Sequence, residues 1–251
     1  MDAYIKFDNV NKSFDDKEVL RGVSLEVARN ESIVIIGQSG CGKSVLLKHI
    51  NALIKPESGS VYVDGNDVTD MNFNDLTEVR KNIGMLFQSA ALLDSLTVGE
   101  NVGLALKECM HLPEKERDDI IAEKLALVGL SGTEQKYPAE LSGGMRKRVG
   151  LARAIATNPA ILLYDEPTTG LDPITADRIN DLIINLHTRL HVTSVTVTHD
   201  MTSAYKVGQR IVMLYDGKVE FEGTPDETRN SSNSIVRQFI HGQAEGPIKI
   251  N

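Results

Sequence analysis

Apolar and polar positions alternate over residues 4–10 and again over 19–27, the period-two pattern of strands buried on one face. The next stretch changes character. Ser32-Ile33-Val34-Ile35-Ile36 is mostly apolar and β-branched and stops at Gly37, as expected of a strand buried on both faces of a parallel sheet. Beyond a glycine-rich loop, Val45, Leu46, Leu47, Ile50 and Leu53 recur at helical spacing, giving strand, loop, helix. The middle third reads as mostly helical. Pro113 opens a helix that reaches Leu127, with Glu114 and Glu116 in its first turn and Gly129 as its cap, and another helix starts near Ser142 and runs through Ala156. Strands return at 160–164, 192–197 and 210–214, with a helix over 174–187 between the first two. This alternation predicts an α/β fold around a mostly parallel core sheet, with an N-terminal antiparallel β part and an inserted helical lobe. The lobe is placed at about 89–158 within a domain of 1–228, followed by a C-terminal helix and tail over 229–251. In that tail Ser231-Ser232-Asn233-Ser234 offers helix N-caps, and Ile235, Val236, Phe239 and Ile240 fall on one helical face. Gly242 can end the helix.

Composition narrows the classes. The chain has 251 residues, 41% of them hydrophobic, enough for a substantial core, and sparse aromatics disfavour an all-β sandwich. A net charge of −8 argues against a general nucleic-acid binder, which needs cations for phosphates. Two cysteines, Cys41 and Cys109, form neither a disulfide framework nor a metal-ligand spacing, and fit a reduced compartment. The start of the chain shows no basic-then-apolar signal, and no apolar stretch has the length of a membrane span. Any membrane role therefore needs a partner.

The chemistry concentrates in two motifs. Gly37-Gln38-Ser39-Gly40-Cys41-Gly42-Lys43-Ser44 matches the phosphate-loop pattern, G-x-x-x-x-G-K-S. Its glycines let backbone N–H groups approach a phosphate, and the following helix turns its positive end toward the anion. Lys43 can reach β- and γ-phosphates, and Ser44 can ligate Mg²⁺. Ile161-Leu162-Leu163-Tyr164-Asp165-Glu166 describes a buried strand delivering carboxylates to its C-terminal end, where open α/β sheets bind ligands. Asp165 would hold Mg²⁺ and Glu166 would polarise an attacking water. By itself this second pattern reads more readily as a buried strand ending in two solvated acids. The phosphate loop gives it meaning.

Leu141-Ser142-Gly143-Gly144-Met145, between those motifs and ahead of a helix, narrows the field. With it, nearly the whole chain resembles the ATP-hydrolysing, nucleotide-binding subunits of ABC transporters. The resemblance implies ATP and Mg²⁺ as cofactors and a head-to-tail dimer of two copies. Ser142, Gly143 and Gly144 of each copy would cover the γ-phosphate held by the other, a helix-terminus anion site supplied in trans. Phe14 stands where an aromatic stacks on adenine, or it is an edge aromatic. Gln88 resembles the glutamine that contacts Mg²⁺ and the attacking water, and His199, within Thr198-His199-Asp200, the histidine that contacts the γ-phosphate. Gly170-Leu171-Asp172 resembles the loop that communicates across the dimer, and Asp172 also reads as a helix N-cap ahead of Pro173.

The signature most often ends in glutamine, whereas Met145 stands here, followed by Arg146, Lys147 and Arg148. This variant resembles the ATPases of Mce and Mla systems, which move phospholipids or other lipids. So do Ser89-Ala90-Ala91-Leu92-Leu93-Asp94-Ser95-Leu96-Thr97-Val98 and the ending around Phe239-Ile240-His241-Gly242 and Gly246-Pro247-Ile248. The resemblance implies integral-membrane permease subunits, a small cytoplasmic accessory protein and a lipid-binding Mce-type subunit as partners. It also implies a cytoplasmic position, peripheral on the inner-membrane face. Two alternatives remain: a soluble ABC-type ATPase in cofactor assembly, and a non-hydrolysing regulatory cassette. Lys43 and Glu166, both present, disfavour the latter.

Overall fold

The computed structural model describes residues 3–249, so Ile250 and Asn251 of the predicted tail lie outside the described residues. Two compact units are present. One takes the described residues of Met1–Leu76 and Val195–Asn251, the other Thr77–Ser194. In chain order the first elements are β1 (Ile5–Phe14), β2 (Lys17–Val27), β3 (Ser32–Ile36), α1 (Lys43–Ile50), β4 (Ser58–Val63), β5 (Asn66–Asp67) and α2 (Phe73–Lys81). Next come β6 (Ile83–Leu86), α3 (Val98–Glu108), α4 (Glu114–Leu127), a 3-10 turn (Pro138–Glu140), α5 (Gly143–Ala154), β7 (Ile161–Asp165) and α6 (Pro173–Leu190). The chain passes between units within β8 (Thr193–Val197) and ends with α7 (Met201–Val207), β9 (Arg210–Tyr215), β10 (Lys218–Gly223), α8 (Pro225–Arg229) and α9 (Ser234–His241).

In the first unit an antiparallel sheet runs β2-β1-β4-β5. Alternation makes its inner face: Ile5, Phe7, Val10, Leu25 and Val27 are buried while Asp8 and Glu26 face out. β3 pairs in parallel with β9, from Ile33 opposite Arg210 to Ile36 opposite Met213, and β10 adds an antiparallel strand to β9. Every residue of β3 is buried, which explains its apolar run: a strand covered on both faces has no solvent side to mark with polar residues. Arg210 ties this layer together, pairing with Glu31 at 2.7 Å and with Glu222 and donating to Glu26 O at 2.6 Å. In the second unit β6 and β7 pair in parallel, Ile83 opposite Ile161 through Leu86 opposite Tyr164. The helices α3, α4 and α5 pack on one another through Val102, Leu106, Ile121, Leu125 and Val149. The fold is α/β, with parallel pairing at β3–β9 and β6–β7 and a separate antiparallel sheet.

Several boundaries move from their expected places. Helix α1 stops at Ile50, because Asn51 and then Ala52, at φ 49°, turn the chain out of helical geometry; Leu53 is therefore not on its apolar stripe and is 51% exposed. β1 and β2 extend to a hairpin turn at Asp15-Asp16, with register shifts along β1. β6 ends at Leu86 and β8 at Val197, so Gln88 and His199 each lie beyond the strand that precedes them. The helix α9 is capped by Asn233, whose side chain accepts from Ile235 N at 2.8 Å, and Gly242 closes it in the left-handed region. Of its predicted face Val236 is fully buried, while Ile235, Phe239 and Ile240 are half-buried. The described tail then folds back on its own chain, burying Ile248.

Candidate nucleotide site

The phosphate loop connects β3 to α1 in the first unit. Gly37 has φ 149°, and a Cβ there would lie 2.3 Å from Leu214 O, so no other residue fits the exit from β3. Lys43, 5% exposed, folds its ammonium onto the loop and donates to Gly37 O at 2.8 Å and Gln38 O at 2.9 Å. Gly42 caps α1 at φ 103° without a side-chain partner, which leaves the helix N-terminus to be satisfied by something else. Above the loop lies a cavity of about 970 Å³ lined by Gln38, Ser39, Gly40, Cys41 and His199. His199 thus lines the same cavity as the loop. Cys41 is half-buried and makes no disulfide. Ser44, which follows Lys43 in α1, is half-buried. Phe14, at the end of β1, is 43% exposed, with Lys12 Nζ 5.3 Å from its ring centre, and it is outside the cavity lining. Its described ring contact is with that ammonium.

In the second unit β7 delivers Asp165, 5% exposed, and Glu166, 8% exposed. Glu166 adopts φ 49°, an uncommon conformation for a residue with a side chain. Thr169 Oγ1 donates to Glu166 Oε2 at 3.0 Å. Lys147, in α5, joins this acid to Gln88: its Nζ donates to Gln88 O at 2.6 Å and to Glu166 O at 3.1 Å. Burial pushes the Lys147 ammonium pKa down, and the Asp165 and Glu166 carboxylates pull it back up. Ser142 caps α5, accepting from Met145 N at 3.3 Å, and Ser142, Gly143 and Gly144 line a cavity of about 470 Å³ together with Gly170, Leu171 and Asp172. Asp172 caps α6, accepting from Ile174 N at 3.1 Å and Thr175 N at 3.0 Å. Hydrogen bonds from the Thr175 side chain and amide hold its carboxyl below the usual range.

The predicted residues are therefore assembled within each unit: the phosphate loop with His199 in the first, Gln88 with Glu166 and the signature with the 170–172 loop in the second. The metal candidates Ser44, Gln88 and Asp165 are all oxygen donors, the class that Mg²⁺ takes. Among the described residues no group of three or more His, Cys, Asp and Glu side chains is placed to hold a metal ion. Sequence reasoning missed Lys147, taken only as part of a basic cluster, and Asn101. Asn101 is fully buried in α3 and grips the 93–97 loop: Leu93 N donates to its Oδ1 at 2.8 Å, and its Nδ2 donates to the carbonyls of Leu93, Leu96 and Thr97. Arg153 likewise holds Ala90 O and Ala91 O, at 2.7 and 2.6 Å. No local signal sets Lys147 apart within Arg146-Lys147-Arg148, and Asn101 and Arg153 are singled out only by the carbonyls that they reach.

The family model described as "ABC transporter" matches residues 20–169. The Mycobacterium tuberculosis (strain H37Rv) "Probable ribonucleotide transport ATP-binding protein mkl" is 40% identical over 248 residues, covering 99% of this chain and 69% of that protein. The Haemophilus influenzae "Intermembrane phospholipid transport system ATP-binding protein MlaF" is 38% identical over 245 residues, covering 98% of this chain and 93% of that protein. Among solved structures, the dimeric post-hydrolysis state of the ATP-binding cassette MJ0796 bound to ADP and Pi has a TM-score of 0.80 at 37% identity, covering 88% of this chain and 98% of that one. cbiO1 from Clostridium perfringens, part of an ABC transporter complex, has a TM-score of 0.83 at 28% identity, covering 97% and 96%.

Proposed function

Because the chain belongs to the ATP-hydrolysing subunits of the ABC transporter family, we propose that two copies close head to tail around Mg-ATP and so drive a membrane permease that moves phospholipids or related lipids. On this reading the loop amides of residues 37–44 and Lys43 hold the β- and γ-phosphates, and Phe14 stacks on adenine. Ser142, Gly143 and Gly144 of one copy cover the γ-phosphate bound by the other. Ser44, Asp165 and Gln88 would hold Mg²⁺, which would supply charge neutralisation on the phosphate oxygens. Gln88 and Glu166 place the attacking water, and the Glu166 carboxylate takes its proton as the bond from γ-phosphorus to the ADP oxygen breaks, releasing ADP and inorganic phosphate. His199 donates to the γ-phosphate. The placement supports this division of labour. Lys147 holds Gln88 and Glu166 through their backbone carbonyls, and Thr169 orients the Glu166 carboxylate.

The observation that carries the lipid cargo is the likeness to MlaF, which extends over nearly the full length of both chains. Met145 in the signature supports the same cargo. The name of the mycobacterial relative points instead to ribonucleotides, so cargo is the property to test. No helix among the described residues is long and apolar enough to cross a membrane, so transport needs permease subunits. The exposed Leu93, on the loop gripped by Asn101, offers them an apolar contact. A small cytoplasmic accessory protein and a lipid-binding Mce-type subunit complete the complex, with this chain at the cytoplasmic face of the inner membrane. Purification of the full chain from membranes in mild detergent, then reconstitution into liposomes with labelled phospholipid, tests the reading. The expected result is a co-purifying multi-span protein and phospholipid movement that requires Mg-ATP. Hydrolysis without phospholipid movement would contradict the cargo, and absence of a multi-span partner would contradict the transporter role.

A further inference from the structure

The cavity over the phosphate loop has a wall that the nucleotide motifs do not account for. Phe239 of α9 and Pro247 and Lys249 of the tail line it, alongside Gln38–Cys41 and His199. This tail is clipped in place. Gln238 is only 5% exposed in mid-helix, and its amide is used at both ends: Nε2 donates to Gln243 O and Ile248 O, each at 3.2 Å, and Oε1 accepts from Ile248 N at 2.7 Å. A buried amide satisfied in this way fixes the chain that satisfies it. Ile248, 4% exposed, anchors the same segment by apolar burial. Gly246 permits the return. It has φ 156°, and a Cβ there would lie 2.4 Å from Gln238 Cδ and Oε1, so a side chain would dislodge the clip. The charges of the cavity also matter. The lining acids Glu18 and Asp216 are both paired with Arg21, at 3.3 and 2.8 Å, and Lys17 is a lining cation near the start of the chain. Lys249 adds a cation at the opposite end of the sequence from the phosphate loop.

Resting on the nucleotide reading above, we propose that the C-terminal tail is part of the nucleotide site of its own chain. Gln238 clips it in place, Phe239 and Pro247 form an apolar wall, and Lys249 supplies a cation to the phosphates of the bound nucleotide. The full chain, at concentrations where it is monomeric, is titrated with a fluorescent Mg-ATP analogue. Lys249→Ala weakens binding by roughly 3- to 10-fold at low salt, Lys249→Arg restores it, and the loss shrinks as salt rises toward roughly 0.5 M. Gly246→Val, which unseats the clip, weakens binding at least as much as Lys249→Ala. Wild-type affinity in Lys249→Ala or in Gly246→Val overturns the proposal. So does a loss that Lys249→Arg fails to rescue, or one that arises only at concentrations where the chain dimerises. A wild-type chain that does not bind the analogue, or a Lys43→Ala chain that binds it normally, would instead sink the nucleotide reading itself.

Discussion

Replacing Lys147 by methionine isolates the bridge between Gln88 and Glu166. The ammonium makes hydrogen bonds of 2.6 and 3.1 Å to two carbonyl oxygens. Bonds from a charged donor contribute about 1.5–3 kcal/mol each, so the pair supplies about 3–6 kcal/mol. Desolvation opposes it, because Lys147 is 4% exposed and burial pushes its pKa down. Methionine keeps the length and the apolar stem, removes the charge and leaves both carbonyls without that donor. A net stability loss of about 1–3 kcal/mol follows. The effect on chemistry is larger, since a displacement of about 1 Å in a positioning group can cost about 100-fold. Lys147→Met is therefore expected to lower kcat by roughly 10- to 100-fold while changing nucleotide affinity by less than about 3-fold. Phosphate release, nucleotide titration and urea unfolding are measured on the same preparation. A folded variant with wild-type kcat refutes the positioning argument, and a loss that falls on affinity alone would make Lys147 a binding residue instead.

Cys41 is half-buried and lines the phosphate-loop cavity, so alkylation should block ATP binding and Mg-ATP should slow the labelling; complete labelling with unchanged affinity contradicts this. Leu93→Asp places a charge on an exposed residue whose loop is held by Asn101, and is expected to spare hydrolysis by the isolated chain while abolishing transport by the reconstituted complex; retained transport counts against docking there. His49, buried in α1, has its pKa pushed below the ordinary 6.5 by desolvation, partly offset by its 2.7 Å contact with Val45 O. The unfolded chain then binds the proton more readily, so stability is full above pH 6.5 and falls as pH drops from there through the folded pKa, by at most about 1.4 kcal/mol per pH unit for one proton. Urea titrations across that range should show a shallower slope in His49→Gln, and an unchanged slope would exclude His49 as a source.

What was legible in the sequence, and what was not, follows from how local each signal is. β3 was readable because burial on both faces forces an apolar run, and the phosphate loop because its glycines and Lys43 act within one turn. α4 and α6 were readable from end signals, Pro113 in one and Asp172-Pro173 in the other. The helix α3 left only a faint pattern, although Thr97 and Glu100 form a capping box, because Gly99 and Gly103 interrupt its apolar stripe. Buried polar residues were not legible at all. Lys147 is explained only by carbonyls 59 and 19 residues away, and Asn101 only by the bend of the loop that it grips. Gln238 looks like a surface position until the tail returns to it. The end of α1 was misplaced for the converse reason: Leu53 fits the helical spacing, but the left-handed turn at Ala52 has already ended the helix.

The central claim, that Glu166 performs hydrolysis within an ATP-bound pair of copies, is tested most directly by sizing Glu166→Gln with and without Mg-ATP. The amide cannot take the proton of the attacking water, while the residues assigned to bind ATP are untouched. The account predicts a monomer without nucleotide, an accumulating dimer with ATP retained when Mg-ATP is added, and no phosphate release. A variant that remains monomeric with ATP bound, or that turns over ATP at the wild-type rate, would contradict it.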